Sequence, residues 1–351
     1  MISKLDFNLV ENPRASILII YTGGTLGMDY DEHGSLVPCG FDQVVKRVPV
    51  IKELSINLAV TSFDPPLDSS NVHASHWLLM AQIIEKHYAD FDGFIVLHGT
   101  DTMAYSASAI SFMLQGVNKP IIFTGAQLPI ASPRSDGHEN FVTALEIAAD
   151  KLGSIPRVPE VCIFFNHLLL RGNRSKKVES QHFDAFESEN YPVLAEAGIV
   201  IDYNLPSIKP HDPSAKLKLY ESLSEELLIL KLFPGINEIT AASILKASGI
   251  RGVIMESYGS GNVPHQPWFL DLLEQTVESG VVVLNVSQCN GGTVVQGKYE
   301  ASSSLDKIGV ISGRDLTIEA ATTKMMYALG QFTSVPDIKN CLTTSISGEI
   351  N

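Results

Sequence analysis

Short apolar segments that alternate with helical patterns constrain the fold of this chain more than any other feature. Strands that alternate with helices predict a parallel sheet flanked by helices, with its chemistry in loops at the carboxyl ends of the strands. We therefore predict an α/β fold with a mainly parallel sheet in the N-terminal part. The predicted strands there are residues 16–21, 93–98, 120–124 and 161–165, and the predicted helices are residues 76–88 and 101–114.

The alternation lapses around residues 204–224, where three prolines occur between Asn204 and Pro213. It then resumes, with Asp315 as a candidate N-cap of the last helix. We predict a larger N-terminal catalytic domain (1–204), a linker (205–224) and a smaller C-terminal α/β domain (225–351). The predicted strands of the C-terminal domain are 226–233, 252–256 and 281–286, and its helices are 239–248 and 317–332.

Composition excludes several classes of protein. A chain of 351 residues that is 45% hydrophobic and 18% charged is globular, and its net charge of -14 disfavours nucleic acid as a partner. No apolar run approaches the ~20 residues of a membrane span, and the first residues do not form a signal peptide, so we expect a cytoplasmic protein without membrane contact. The four cysteines form no Cys-x-x-Cys pair, which predicts free buried thiols and no metal site.

Hydroxyl groups and glycines recur where the predicted strands end. Thr22-Gly23-Gly24-Thr25 is either a plain turn or a tight loop that approaches a ligand, since its spacing fits no phosphate-binding motif. In the next loop Asp101 either caps a helix or pairs with Thr100 to relay a proton.

Two further segments are rich in polar groups. Asp68-Ser69-Ser70 would suit a zwitterionic head group, although a turn that caps a helix starting near Ser75 explains it equally well. Residues 171–177 are a rare cationic cluster in an acidic chain, and one of its lysines, packed near a carboxylate, could act as a base.

Together these segments resemble the bacterial-type L-asparaginase family. The segments at residues 21–28 and 98–105 look like the family's two signatures. Further segments resemble its cytosolic type I branch, and they are residues 67–70, 124–127, 134–137, 171–174 and 257–262. The resemblance extends from about Ile17 to the C-terminus.

The resemblance implies that L-asparagine is hydrolysed to L-aspartate and ammonia without a cofactor or metal. Thr25 would be the nucleophile and would form an acyl-enzyme, with Thr100, Lys177 and Asp101 as its catalytic partners. Lys177 is assigned by counting, without a gap, to the third residue beyond the segment 171–174, and Lys176 is its immediate neighbour. Backbone N–H groups near Thr25 and Thr100 would stabilise the oxyanion.

Residues that bind the substrate and cover the site follow from the same resemblance. Asp68, Ser69 and Ser70, together with Thr100 and Asp101, would bind the amino-acid end of the substrate. The family commonly has a tyrosine on the mobile loop after the first motif, where this chain has Ser35, and Tyr30 lies five residues earlier. Either hydroxyl could assist Thr25.

The resemblance also implies roles for two residues in the C-terminal part of the chain. Asn262 would approach an active site across a subunit interface, which implies a homodimer or a homotetramer; a turn asparagine in a left-handed conformation is the alternative. Cys289 would belong to an effector site for asparagine. Competing functions are a glutaminase of broader specificity, a tRNA amidotransferase subunit, which the acidic charge disfavours, and a non-catalytic asparagine sensor.

Overall fold

The computed structural model describes residues 3–7, 10–30, 33, 36–38, 40–296 and 300–351. The chain divides into two compact units between Leu219 and Tyr220. The strands of the first unit are β1 (Ser3–Phe7), β2 (Ala15–Gly23), β3 (Met28–Tyr30), β4 (Leu36–Pro38), β5 (Ile56–Leu67), β6 (Gly93–Leu97), β7 (Leu114–Gln115), β8 (Ile121–Thr124), β9 (Lys151–Leu152), β10 (Ile155–Pro156), β11 (Val161–Phe165), β12 (Leu168–Arg171), β13 (Lys176–Lys177), β14 (Phe186–Glu187), β15 (Ala195–Ala197), β16 (Ile201–Tyr203) and β17 (Lys218–Leu219).

The strands of the second unit are β18 (Leu227–Lys231), β19 (Gly252–Ser257), β20 (Val282–Ser287) and β21 (Ile311–Ser312). The helices of the first unit are α1 (Phe41–Arg47), α2 (Ala74–His87), α3 (Met103–Met113) and α4 (Gly137–Ala149), and those of the second unit are α5 (Glu238–Leu245), α6 (Pro267–Glu278), α7 (Glu300–Ile308), α8 (Ile318–Gln331) and α9 (Val335–Thr343). Short 3-10 turns occur at Thr25–Gly27, Pro49–Glu53, Ser69–Asn71 and Gly172–Arg174.

The first unit is built on a nine-stranded sheet in the order β1-β5-β2-β6-β8-β11-β12-β15-β16. Its five central strands, from β5 to β11, pair in parallel, and the strands outside them pair antiparallel. Strands that are covered on both faces consist largely of apolar residues. Almost every residue of β2 is buried, as expected for such a strand. The predicted α/β class is therefore confirmed.

Helices cover both faces of this sheet. Alternate residues of β2 face opposite sides, and Ile17, Ile19 and Tyr21 share one buried cluster with Phe41 of α1 and Phe141 of α4. Helix α3 contacts β8 and β11 and also packs against α2. The parallel strands are held in register by these two layers, so their carboxyl ends form a common edge.

The second unit is a smaller α/β unit with its own core. Its four strands β18-β19-β20-β21 are parallel, and a separate buried cluster includes Val253, Met255, Phe269 and Val283. Within the described part of the chain, no helix combines the length and the apolarity that crossing a bilayer requires. The predicted domain limits stay a prediction; residues 218–219 form β17, which pairs with β7 of the first unit.

Three local predictions need correction. Asp315 does not cap α8, because the N-cap is Thr317, whose side chain accepts from the Ala320 N–H. Asp315 instead accepts two hydrogen bonds from Asn351. Cys162 and Cys341 are free and buried as predicted, but the free Cys289 is exposed, and Cys39 lies outside the described residues.

The third correction concerns the turn that holds Asn262. Asn262 closes that turn, with its N–H donating to the Tyr258 carbonyl at 2.8 Å. The left-handed positions are Gly259 and Gly261, with φ of 48° and 104°. The alternative explanation of Asn262 as a left-handed turn residue is therefore wrong.

Candidate active site

Four loops meet at the carboxyl edge of the parallel strands. Strands β5, β2, β6 and β8 are neighbours, so the residues that follow them lie along one edge. From β2 the chain passes to β5 on one side and then to β6 on the other, which makes this edge a topological switch point. The residues placed there are Asp68 to Ser70 after β5, Thr25 after β2, Thr100 and Asp101 after β6, and Gln127 after β8.

Glycines bring three of these loops into direct contact. Gly23 and Gly24 have φ of 127° and 89°, a region that L side chains rarely adopt. A Cβ at Gly23 would lie 2.3 Å from the Leu67 carbonyl oxygen, and one at Gly24 would lie 2.5 Å from the Gly99 nitrogen. The backbone just before Thr25 therefore packs against the residues just before Asp68 and Thr100.

The structure distinguishes the two threonines of the glycine loop. Thr22 is 2% exposed, and its hydroxyl donates to the Leu97 carbonyl at 2.9 Å, so it joins β2 to β6. Thr25 begins a 3-10 turn beyond the sheet and is only partly buried. Thr25 is thus the threonine whose position suits reaction with a ligand.

An amine, a hydroxyl and a carboxylate form a cluster beside this loop. Lys177 Nζ donates to Thr100 Oγ1 and to Asp101 Oδ1, both at 2.8 Å. Neighbouring strand residues point to opposite sides, so Lys177 rather than its neighbour Lys176 reaches this pair. The Lys177 side chain is 17% exposed and that of Asp101 is 65% exposed. Asp101 does not cap α3, which begins after Thr102.

Gln127 also contacts Thr100, which the sequence interpretation had not assigned. The Thr100 hydroxyl donates to Gln127 Oε1 at 3.1 Å, and Gln127 Nε2 donates to the His182 carbonyl at 3.0 Å. The available signals were its place after the predicted strand 120–124 and the family resemblance of residues 124–127. Gln127 therefore connects Thr100 to the segment that follows Lys177.

A buried chain of hydrogen bonds supports the residue that precedes Thr100. Trp77 Nε1 donates to Ser106 Oγ at 2.8 Å, and Ser106 Oγ lies 2.9 Å from His98 Nε2. His98 Nδ1 lies 2.7 Å from the Gly99 carbonyl, which can only accept. His98 therefore carries its proton on Nδ1, and Ser106 donates to Nε2.

Burial lowers the pKa of His98 to about 4, although the bond to the Gly99 carbonyl acts in the opposite direction. A second proton on Nε2 would face the Ser106 hydroxyl, whose oxygen already accepts from the indole of Trp77. His98 is therefore neutral near pH 7 and holds the backbone next to Thr100 by a hydrogen bond of fixed direction.

The loop after β5 has a structural role and remains accessible. Asp68 Oδ1 accepts from the Ser70 N–H at 2.9 Å and caps the 3-10 turn, whereas α2 is capped by His73. The carbonyl of Ser69, which is buried, accepts from the Thr102 hydroxyl at 2.7 Å. Asp68 and Ser70 are exposed, so their side chains can meet a ligand.

The hydrogen bonds given above for this edge do not involve the remaining implied residues. Tyr30 lies in β3, which pairs with β4. Ser35 lies outside the described residues. Asn262 and Cys289 lie in the second unit, and their implied roles stay predictions. In the described ranges no three His, Cys, Asp or Glu side chains gather in a way that could hold a metal ion.

The fold and the site define a class of protein. It has two α/β units with parallel strands in their sheets, and the first unit holds a cluster of hydroxyl groups, an amine and carboxylates at a topological switch point. Comparison with known proteins makes the class specific. Residues 16–209 match the family model "Asparaginase, N-terminal", and residues 227–342 match "Glutaminase/Asparaginase C-terminal domain". The chain belongs to the asparaginase family, which confirms the resemblance stated from the sequence.

Relatives cover nearly the whole chain. It is 38% identical to L-asparaginase 1 of Escherichia coli (strain K12) over 341 residues, 96% of this chain and 98% of that protein. It is 37% identical to the 60 kDa lysophospholipase of Mus musculus, with 96% of this chain and 63% of that longer protein covered. The crystal structure of L-asparaginase I from Vibrio cholerae superposes with a TM-score of 0.87 at 38% identity, covering 96% of this chain and 99% of that one.

Proposed function

We propose that this protein hydrolyses L-asparagine to L-aspartate and ammonia at the edge formed by β5, β2, β6 and β8. The observation that carries the proposal is the Lys177 amine, 2.8 Å from both Thr100 Oγ1 and Asp101 Oδ1. Family membership supports it, and so does the close approach of Gly24 to Gly99, the residues that precede Thr25 and Thr100.

Thr25 Oγ1 would attack the side-chain amide carbon, and its proton would pass to the Thr100–Lys177 pair. The C–N bond then breaks, and the leaving nitrogen takes a proton and departs as ammonia. Water, activated by the same pair, would hydrolyse the ester and release aspartate. The N–H of Gly24 donates to the Leu67 carbonyl, so the oxyanion would be stabilised by other backbone donors near Thr25 and Thr100.

The amino-acid end of the substrate requires an acid for its ammonium and donors for its carboxylate. Asp68 and Asp101 are exposed carboxylates on two adjoining loops, and Ser69, Ser70 and Thr100 supply hydroxyl groups. Asp101 would hold the substrate ammonium while it orients Lys177. These assignments predict that loss of Asp68 raises KM more than it lowers kcat.

The setting of the enzyme is also proposed. Family membership supports a cytoplasmic homodimer or homotetramer engaged in amino-acid catabolism, in which Asn262 approaches a partner's site. Tyr30 or Ser35 would assist Thr25, and Cys289 would lie in an effector site for asparagine. Sedimentation with and without asparagine tests the assembly.

Ammonia release from L-asparagine tests the reaction, with two threonines of one loop as a matched pair. Thr25→Ala should lower kcat by roughly a thousand-fold or more, because no other group would form the ester. Thr22→Val also removes a hydroxyl from this loop, but that hydroxyl only joins two strands of the sheet by donating to the Leu97 carbonyl. It should therefore lower thermal stability and leave kcat within about threefold of the wild type. Near-normal activity of Thr25→Ala would refute the proposed nucleophile.

Glutamine is the second substrate to measure, because the matched C-terminal model describes glutaminases as well as asparaginases. One methylene changes binding by about 1–3 kcal/mol, so kcat/KM for glutamine should be lower by a factor of about 10 to 200. Equal values would identify a glutaminase of broader specificity. Tight binding of asparagine without ammonia release would identify a sensor.

A further inference from the structure

Gln127 occupies a position from which it controls the hydrogen bonding of Thr100. Its side-chain amide lies between the Thr100 hydroxyl and the His182 carbonyl. A carbonyl oxygen only accepts hydrogen bonds, so the Gln127 NH₂ group must face His182 and its Oε1 must face Thr100. The orientation of the amide is therefore determined by its two partners.

The direction of the next hydrogen bond follows from this orientation. Gln127 Oε1 can only accept, so the Thr100 hydroxyl donates its single proton to Gln127. Thr100 Oγ1 is then left to accept from Lys177 Nζ at 2.8 Å. An ammonium has no lone pair to accept the Thr100 proton, so it requires this arrangement, and Thr100 is 6% exposed, so water gives its hydroxyl little alternative.

A relay through Thr100 needs the opposite direction. For the relay, the Thr100 proton must turn towards the lone pair of a neutral Nζ, and Oγ1 then accepts the proton of the attacking hydroxyl. Gln127 and a neutral Lys177 thus compete for one proton. We propose that Gln127 is a positioning residue that stabilises the ammonium state of Lys177 through Thr100. The proposal rests on the proposed function, because that function assigns the relay to Thr100 and Lys177.

The backbone of Gln127 is held independently of its side chain. Its N–H lies 3.1 and 3.0 Å from the two carboxylate oxygens of Asp136, and the Leu128 N–H donates to the same carboxylate at 3.1 Å. Asn140 Nδ2 donates to the Gly125 carbonyl at 3.0 Å. A substitution of the Gln127 side chain therefore leaves these anchors of the loop in place.

Gln127→Met is the diagnostic variant, because it keeps the length of the side chain and removes its acceptor. The proton of the buried Thr100 hydroxyl then lacks an acceptor whenever Lys177 is an ammonium, which disfavours that state. The acid limb of the kcat/KM profile should move to lower pH by about half a unit to one unit. We expect KM to change less than threefold, because the substrate contacts remain.

Gln127→Glu tests the same reasoning in the opposite direction. A carboxylate keeps the acceptor for Thr100 and adds negative charge near Lys177, so the acid limb should move to higher pH. A purely structural role of Gln127 would leave the midpoint of that limb unchanged in both variants. Gln115→Met is the matched control, since Gln115 is also partly buried in the first unit but pairs in β7, and its profile should match the wild type.

The outcomes separate the two proposals. A wild-type enzyme that releases no ammonia refutes the proposed function and this inference with it. An active wild type whose acid limb is unchanged in Gln127→Met, or moves in the same direction in Gln127→Met and Gln127→Glu, overturns the inference alone. Opposite displacements of the limb in the two variants, with folded proteins by circular dichroism, support it.

Discussion

The buried imidazole of His98 should make the stability of the first unit depend on pH. His98 is 1% exposed and its pKa is lowered by burial from 6.5 to about 4. Between these values the unfolded chain binds a proton that the folded chain does not, so the free energy of unfolding falls as pH falls. The contribution is fully present above pH 6.5 and is lost as pH falls towards 4.

The size of this effect follows from the two pKa values. A difference of about 2.5 units corresponds to about 3 kcal/mol in total, and about 2 kcal/mol of it is already lost at pH 5. Other groups also titrate in this range, so the informative quantity is the difference between two proteins. His98→Asn has no titrating ring, and its amide can still donate towards the Gly99 carbonyl.

Urea unfolding at pH 7.5 and pH 5 provides the measurement. Trp77 fluorescence in a Trp268→Phe background reports on the unit that contains His98, since Trp268 lies in the second unit. His98→Asn should be less stable at pH 7.5, because Ser106 loses its acceptor. From pH 7.5 to pH 5, however, its free energy of unfolding should fall by about 2 kcal/mol less than that of the parent protein.

A matched control and a clear contrary result complete this test. His265→Asn removes an exposed imidazole, and its stability should follow that of the parent protein across the pH range. If His98→Asn also loses stability in parallel with the parent, then His98 is protonated in the folded protein near pH 5. The hydrogen-bond directions deduced for Trp77, Ser106 and His98 would then be wrong.

Substitutions in the two units test their packing. Gly24→Ala should lower kcat/KM by roughly a hundred-fold or more, because the new Cβ would lie 2.5 Å from the Gly99 nitrogen and force the two loops apart. Gly153→Ala has a similar positive φ but no atom within 4 Å, so steady-state assays should find normal activity. In the second unit Lys324 Nζ lies 2.6 Å from Glu349 Oε1 and both side chains are 0% exposed, so Lys324→Met should cost about 3–5 kcal/mol in chemical denaturation. The double variant with Glu349→Leu should recover only part of that loss, because Glu349 also accepts from the Ile346 and Ser347 N–H groups. An unchanged loss would show that the unpaired carboxylate is not its cause.

The parallel strands could be predicted because burial on both faces leaves a mark on the sequence. Strands β6 and β11 are apolar throughout and β2 is apolar from Ile17 to Tyr21, and the loops after β2 and β6 contain glycine and threonine. Helix caps were harder to place. Both Asp315 and Thr317 are good N-cap residues, and the choice depends on Asn351, which binds Asp315 from 36 positions away.

The members of the candidate site were predictable, but the partners of each member were not. Local sequence does not distinguish Thr22 from Thr25, because both flank the same glycines. The family resemblance implied Thr25, and the physical reason appears in the structure, where the Thr22 hydroxyl donates to the Leu97 carbonyl of the neighbouring strand. In the same way, Lys176 and Lys177 are neighbours in the short strand β13, so their side chains point to opposite sides. The structure shows that the Lys177 amine is the one that donates to Thr100.

Thr100 is the residue whose surroundings the sequence described least well. Its hydroxyl is held by Lys177 and Gln127, and its neighbour Gly99 is held by His98 and by contact with Gly24. Lys177, Gln127 and Gly24 come from distant parts of the chain, and the hydrogen bonds of Lys177, Gln127 and His98 are in place before any substrate binds. Dipoles that are already oriented need not reorganise as charge develops, which is the main electrostatic advantage of an enzyme over water. The order of the strands, more than any single motif, therefore determines how reactive this edge can be.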